Sequence, residues 1–135
     1  MNDELSQMTA MVVEDEPHVR EALAAILGSL GCELVAKCGN GDEAVELWRR
    51  HRPQITLLDI NLPGKRGTEV LQEIRGLDPE AFVVMLTSMS SLGIIQECLS
   101  AGAANYLRKD TPLDEIAREI RQSWKTHLEE LGGKR

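Results

Sequence analysis

The chain has 135 residues, of which 42% are hydrophobic, and a formal net charge of −7. This is enough for one domain with its own core, whereas the negative charge disfavours direct binding to nucleic acid. Residues 1–7 carry no apolar run, and the uncharged stretch 81–96 is interrupted by polar residues, so we expect a cytoplasmic protein with no secretory signal and no membrane span. The three cysteines match no metal or redox spacing and are expected to be small core residues.

The first half of the chain predicts two strand–helix units. Residues 8–13 form an apolar strand that ends in the acidic triplet 14–16, and residues 17–30 carry apolar side chains at helical spacing. Residues 32–38 alternate as a second strand, and Asp42 is expected to cap the helix that follows.

The second half continues this alternation. The third strand ends in Asp59, beside an open loop that contains Pro63 and Gly67. The strands are expected at 55–59, 81–87 and 101–107, and the helices at 70–77, 92–99 and 113–131. Because five strands alternate with five helices through short connections, the sequence predicts an α/β fold with a parallel sheet covered on both faces.

Polar residues follow the carboxyl ends of four strands, and right-handed crossovers bring these ends to one edge of the sheet. Glu14, Asp15 and Asp59 would place three carboxylates there, and like charges about 4 Å apart repel by roughly 4 kcal/mol. A hard cation with oxygen ligands offsets this repulsion, and Mg²⁺ fits best. Between such a metal, the Lys109 ammonium and the Thr87 hydroxyl, the Asp59 carboxylate can attack phosphorus and form an acyl phosphate.

Four motifs carry a resemblance to a known family. The segments MVVEDEPHVREAL, LLDINLPGKRG, VVMLTS and AGAANYLRKD resemble the first strand, phosphoacceptor loop, switch strand and last strand of the receiver domain of two-component response regulators. The resemblance covers about residues 9–124. It implies a doubly wound, flavodoxin-like sheet with strand order 2-1-3-4-5, as in the chemotaxis regulator of this family.

The resemblance also implies a function. A sensor histidine kinase or phosphotransfer protein would donate a phosphoryl group, and the face formed by helix 4, strand 5 and helix 5 would then control a partner, an output domain or dimerisation. Such a chain signals and is not an enzyme acting on other substrates. The implied roles are phosphoacceptor for Asp59, Mg²⁺ ligands for Glu14, Asp15, Asp59 and the backbone carbonyl of Asn61, phosphoryl contacts for Thr87 and Lys109, and inward rotation for Tyr106.

Some positions depart from the family pattern. Asp110 follows Lys109 where the family most often has a proline in a cis peptide, so a trans bond is expected here. Lys65 stands in the phosphoacceptor loop and either attracts the phosphodonor or is simply solvated. Met89 is hypothesised to shield the acyl phosphate and slow its hydrolysis, and Asn61 is a second candidate for tuning that rate.

The chain is expected to be a single receiver domain over residues 1–135, with its core at 9–124 and a short tail at 132–135. The last helix carries the apolar residues Trp124, Leu128 and Leu131, which either form a dimer seam or partner site or fold back on the domain. Whether the receiver stands alone or is part of a longer regulator stays open.

Three other functions compete with that of a receiver. A pseudo-receiver that binds partners without phosphorylation is the main alternative. An aspartate-nucleophile phosphohydrolase needs a second acid where Asn61 stands, and a flavodoxin-like cofactor binder needs a phosphate-binding loop where residues 14–16 are acidic. The sequence therefore favours a receiver.

Overall fold

The structure, a computed structural model, describes residues 5–88 and 91–133. Strands and helices alternate along this part of the chain, as predicted. The elements are β1 Thr9–Val13, α1 Pro17–Ser29, β2 Glu33–Cys38, α2 Gly41–His51, β3 Ile55–Asp59, α3 Gly67–Leu77, β4 Val83–Thr87, α4 Leu92–Ser100, β5 Asn105–Arg108 and α5 Leu113–Gly133.

The five strands form one parallel sheet in the order β2-β1-β3-β4-β5. All residues of β3 and β4 are buried, because these strands lie inside the sheet and are covered by helices on both faces. The predicted fold class and strand order are confirmed. Since all strands run the same way, their carboxyl ends meet at one edge.

Two apolar layers cover the faces of the sheet. One contains residues of α1 and α5, such as Leu27 and Ile120. The other contains residues of α2, α3 and α4, such as Val45, Ile74 and Cys98. All three cysteines are buried and free, which confirms their prediction as core residues.

The predicted cap of α2 was wrong. Asn40, not Asp42, is the N-cap: its backbone is extended, and its Oδ1 accepts a hydrogen bond from the N–H of Glu43 at 2.8 Å. The helix therefore begins at Gly41, whose N–H donates to the carbonyl of Pro63 at 3.1 Å. The loop after β3 therefore contacts the first residue of α2.

The last two strands begin later than predicted. β4 begins at Val83, since Ala81 still belongs to a turn in which its N–H donates to the carbonyl of Asp78. β5 begins at Asn105, because the chain leaves α4 through Gly102 at φ +101° and the N–H of Ala103 returns to a carbonyl of α4. Both strands still deliver their polar residues to the carboxyl edge.

Helix α5 is slightly longer than predicted and ends at Gly133. Trp124 is 9% exposed and packs edge-on against Phe82, with ring centroids 5.0 Å apart. It therefore folds back on the domain and does not contribute to an open seam, whereas Leu128 is 39% exposed.

Two further findings concern the described residues, 5–88 and 91–133. None of their helices is long and apolar enough to cross a membrane. None of their peptide bonds is cis, so Lys109 and Asp110 are joined by the expected trans bond.

Candidate functional site

Three carboxylates meet at the carboxyl edge of the sheet. Glu14 directly follows β1, and Asp59 ends the neighbouring strand β3. One carboxylate oxygen from each of Glu14, Asp15 and Asp59 lies within 4.8 Å of the others. Glu14 and Asp59 are buried, whereas Asp15 is exposed, so the cluster is open to solvent on one side.

The ammonium of Lys109 lies against two of these carboxylates. Its Nζ is 2.8 Å from Oε1 of Glu14 and 2.9 Å from Oδ2 of Asp59, and Oε1 of Glu16 lies 3.8 Å away. The backbone N–H of Lys109 donates to the carbonyl of Thr87 at 2.8 Å, which fixes the start of its side chain beside β4. The cluster therefore combines four carboxylates with one ammonium.

The ionisation of these groups follows from burial and from this charge balance. Burial raises the pKa of both Glu14 and Asp59, and the hydrogen bonds from Lys109 only partly oppose this rise. Burial lowers the pKa of Lys109, but its hydrogen bonds to Glu14 and Asp59 outweigh this effect and raise the pKa. The ammonium interacts with several carboxylates, whereas each carboxylate shares one ammonium and repels its neighbours.

The donor set fits a hard divalent cation. Glu14, Asp15 and Asp59 offer only oxygen ligands, which Mg²⁺ prefers. The Lys109 ammonium faces both oxygens of Glu14, with Nζ 2.8 Å from Oε1 and 3.0 Å from Oε2. This one positive charge does not balance the carboxylates of Glu14, Asp15 and Asp59. The remaining excess of negative charge favours a bound cation.

Two hydroxyl side chains of the neighbouring strands β4 and β5 contact each other. Thr87 ends β4 and is buried, and its side chain makes a hydrogen bond with the half-buried Tyr106 of β5. Burial raises the pKa of the Tyr106 phenol, so this group stays protonated at neutral pH. The structure therefore joins the predicted switch residues Thr87 and Tyr106 to each other.

The loop after β3 donates a backbone hydrogen bond to the Asp59 carboxylate. The N–H of Asn61 donates to Oδ1 of Asp59 at 3.2 Å, while the Asn61 side chain is exposed. Lys65 forms an ion pair with Glu73 of α3, so this ammonium already has an acidic partner. A Cβ at Gly67 would lie 2.1 Å from the carbonyl oxygen of Asp59, so only glycine allows the loop to close so tightly.

The structure brings together Glu14, Asp15, Asp59, Asn61, Thr87, Lys109 and Tyr106 as predicted. The predicted role of Met89 falls outside the described residues. Sequence reasoning missed Arg20, whose guanidinium Nη1 donates to the carbonyl of Glu14 at 2.8 Å. No local sequence pattern indicates this contact, because it depends on the path of the chain at the end of β1.

Comparisons with known proteins give a consistent result. The family described as the response regulator receiver domain matches residues 10–121. Chemotaxis protein CheY of Bacillus subtilis is 29% identical over 84% of this chain and 94% of its own length. Transcriptional regulatory protein DesR of Bacillus subtilis is 31% identical over 84% of this chain, but the match spans only 57% of DesR. The BeF3-activated N-terminal receiver domain of RstA from Klebsiella pneumoniae is 35% identical, with a TM-score of 0.77 over 85% of this chain and 97% of that one.

Proposed function

Because this chain belongs to the family of response regulator receiver domains, we propose that its Asp59 accepts a phosphoryl group from a phosphohistidine of a sensor histidine kinase or phosphotransfer protein. One observation carries the assignment to this residue. Asp59 is a buried carboxylate at a strand end, 2.9 Å from an ammonium and within 4.8 Å of two other carboxylates. Among the residues that the structure describes, the cluster of Glu14, Asp15 and Asp59 is the one group of three or more acidic, histidine or cysteine side chains that could hold a metal ion.

The chemistry follows from the groups around Asp59. A carboxylate oxygen of Asp59 attacks phosphorus, the P–N bond to the donor histidine breaks, and its electron pair stays on the imidazole ring. The Lys109 ammonium pairs with the incoming phosphoryl oxygens, and the Thr87 hydroxyl donates a hydrogen bond to them. Mg²⁺ supplies further neutralisation of the transferred group, and Glu14, Asp15, Asp59 and the carbonyl of Asn61 would hold it.

The output belongs to the face formed by α4, β5 and α5. A phosphoryl group that draws the Thr87 hydroxyl changes the hydrogen bond between Thr87 and Tyr106, and Tyr106 lies on β5. Leu92 and Leu99 of α4 are 68% and 48% exposed, which offers apolar contacts to a partner. We propose that phosphorylation shifts the population of this face and so controls a partner protein, an output domain or a second copy of the chain.

The wider assignment has several parts. The family is one of signalling phosphoacceptors, and we propose that this chain promotes only its own phosphorylation and dephosphorylation. With a net charge of −7, it would reach nucleic acid through a partner or output domain rather than directly.

The chain would be a single receiver domain with its core at 9–124, and its three free cysteines favour a reducing compartment such as the cytoplasm. Met89 and Asn61 would tune the lifetime of the acyl phosphate, whereas the ion pair of Lys65 with Glu73 argues for a structural role of that lysine.

The test is phosphorylation by acetyl phosphate followed by intact-mass measurement. We expect a phosphoryl adduct on the wild type in Mg²⁺ that hydroxylamine removes, as an acyl phosphate requires. We expect no adduct on Asp59→Asn or in EDTA, and a normal adduct on Asp114→Asn, in which an exposed carboxylate on α5 is lost. A folded wild type without an adduct would instead support the pseudo-receiver.

A further inference from the structure

The guanidinium of Arg20 connects three segments around the acidic cluster. Arg20 lies near the start of α1, and its Nη1 donates to the main-chain carbonyl of Glu14 at 2.8 Å. A Cβ at Gly39 would lie 3.0 Å from this nitrogen, so the guanidinium packs directly on the bare α-carbon of the loop after β2. The N–H of Glu14 donates to the carbonyl of Cys38 at 3.0 Å. The main chain of Glu14 is therefore held through its N–H by the end of β2 and through its carbonyl by Arg20.

This arrangement restrains the backbone that carries two carboxylates. The carbonyl of Glu14 belongs to the planar peptide that joins Glu14 to Asp15, so a hydrogen bond to it restrains the backbone torsions on both sides of this peptide. The side chain of Glu14 is completely buried and is further held by the N–H of Glu16, which donates to Oε2 at 3.0 Å. Asp15 is exposed, and its α-carbon lies 3.6 Å from the position of a Cβ at Gly39.

We propose that Arg20 is a positioning residue for the cation site: it holds the peptide between Glu14 and Asp15 so that both carboxylates face one Mg²⁺. This inference rests on the proposed function, because it assumes that the acidic cluster binds Mg²⁺. Arg20 itself contacts no reacting atom. Groups that orient metal ligands in this way typically change metal affinity by about 10–100-fold when they are lost.

Charge and positioning predict opposite results for the loss of Arg20. Removing a positive charge beside a carboxylate cluster makes the cluster more negative, which alone would strengthen Mg²⁺ binding. Removing the hydrogen bond to the Glu14 carbonyl releases the peptide and weakens binding. The direction of the change in Mg²⁺ affinity therefore separates the two effects.

The experiment is calorimetric titration of the full chain with MgCl₂, on the wild type and Arg20→Met. We expect Arg20→Met to bind Mg²⁺ about 10–100-fold more weakly. Arg49→Met is the matched control, since it removes an exposed arginine on α2 whose ion pair with Glu46 is 4.0 Å long. The control should bind Mg²⁺ like the wild type. Urea unfolding in EDTA gives the metal-free stability of each variant, so that a loss of fold is not mistaken for a loss of affinity.

A second variant displaces the guanidinium while leaving Arg20 in place. In Gly39→Ala the new Cβ meets the end of a flexible side chain, which must move by a few tenths of an ångström. We expect weaker Mg²⁺ binding from this change in the wild-type background and no further weakening in the Arg20→Met background, because the affected contact is already absent there. If Arg20→Met folds poorly, Gly39→Ala in the wild-type background decides the proposal alone, and unchanged Mg²⁺ binding by this variant would overturn the positioning role.

The outcomes separate this inference from the proposed function. If the wild type binds Mg²⁺ and Arg20→Met binds it equally or more tightly, the positioning role is wrong and the proposed function stands. An equally large effect of Gly39→Ala in both backgrounds would also overturn the role. If the wild type binds no Mg²⁺, both the cation-dependent function and this inference are wrong.

Discussion

Replacing Lys109 with methionine tests the charge balance of the site most directly. The change removes the ammonium that lies 2.8 Å from Glu14 and 2.9 Å from Asp59 but keeps an unbranched apolar side chain. Both carboxylates are buried, so water compensates poorly for the lost partner. We therefore expect Lys109→Met to destabilise the metal-free protein strongly, and to do so more at high pH than at low pH.

The magnitude follows from the distances. At an effective dielectric constant near 20, one pair of opposite charges 2.9 Å apart gains about 6 kcal/mol, and two like charges 4.8 Å apart repel by about 3.5 kcal/mol. The variant avoids the electrostatic cost of two ionised carboxylates without an ammonium, because one of the carboxylates binds a proton. Protonating an aspartate of ordinary pKa costs about 4 kcal/mol at pH 7 and about 1.5 kcal/mol at pH 5. The expected loss of unfolding free energy is therefore about 3–4 kcal/mol at pH 7 and about 1–1.5 kcal/mol at pH 5.

The sign agrees with the pKa directions. Glu14 and Asp59 already have a raised pKa in the folded wild type, so their ionisation destabilises the fold as pH rises through the folded values. Loss of Lys109 raises both pKa values further, so the pH range over which ionisation of these carboxylates destabilises the fold becomes wider. The penalty must therefore grow from pH 5 to pH 7.

The assay is urea unfolding in EDTA at both pH values. Lys37→Met is the matched control, because Lys37 forms an exposed ion pair with Glu21 at the same distance of 2.9 Å. Such an exposed pair contributes less than about 1 kcal/mol. A further comparison is Lys109→Met in the Asp59→Asn background, where the penalty should be smaller. A penalty equal at both pH values, or no larger than that of the control, would refute the reasoning.

Three further predictions concern stability away from the carboxylates. Thr56→Val should stabilise the protein by about 1 kcal/mol in urea unfolding, since the buried hydroxyl of Thr56 has no hydrogen-bond partner among the described residues; destabilisation would contradict this. Gly41→Ala should lower the unfolding free energy by about 1–3 kcal/mol, since its Cβ would lie 1.7 Å from the carbonyl oxygen of Lys65. Gly76→Ala on α3 is the matched control: its Cβ meets nothing within 4 Å, so it should stabilise the protein by about 0.5–1 kcal/mol. Burial lowers the pKa of His127, so the contribution of His127 to stability should fall as pH drops below about 6.5. The unfolding free energy of the wild type relative to His127→Gln should therefore decrease over this pH range, and a difference that does not change with pH would contradict the prediction.

The parts of the fold that the sequence predicted well are those governed by local pattern. β3 is an almost continuous apolar run that ends in Asp59, and the structure places it at the centre of the sheet with every residue buried. The parallel arrangement then brings Lys109 to Glu14, although 95 positions separate them. Topology and the identity of the acidic residues therefore sufficed to predict which side chains meet.

The features that sequence missed depend on contacts between distant segments. The N-cap of α2 is an exception, because Asn40 with Glu43 three residues later is a local capping pattern that sequence could have identified. The contact of the loop after β3 with Gly41, in contrast, is not revealed by residues 40–42. Arg20 is an ordinary polar helix residue by pattern, and its role depends on the path of the chain at Gly39. Such details require the packed structure.

The hydrogen bond between the hydroxyls of Thr87 and Tyr106 has a consequence for the direction of their protons. A threonine hydroxyl has a single proton but can accept from more than one donor. Once Thr87 donates that proton in a hydrogen bond to a phosphoryl oxygen, it can keep its bond to Tyr106 only as the acceptor, so the phenol must be the donor. A phenol that stays protonated at neutral pH can fill this role, whereas phenylalanine at position 106 cannot. The switch residues would therefore be coupled by the orientation of two hydroxyl groups as well as by movement of a ring.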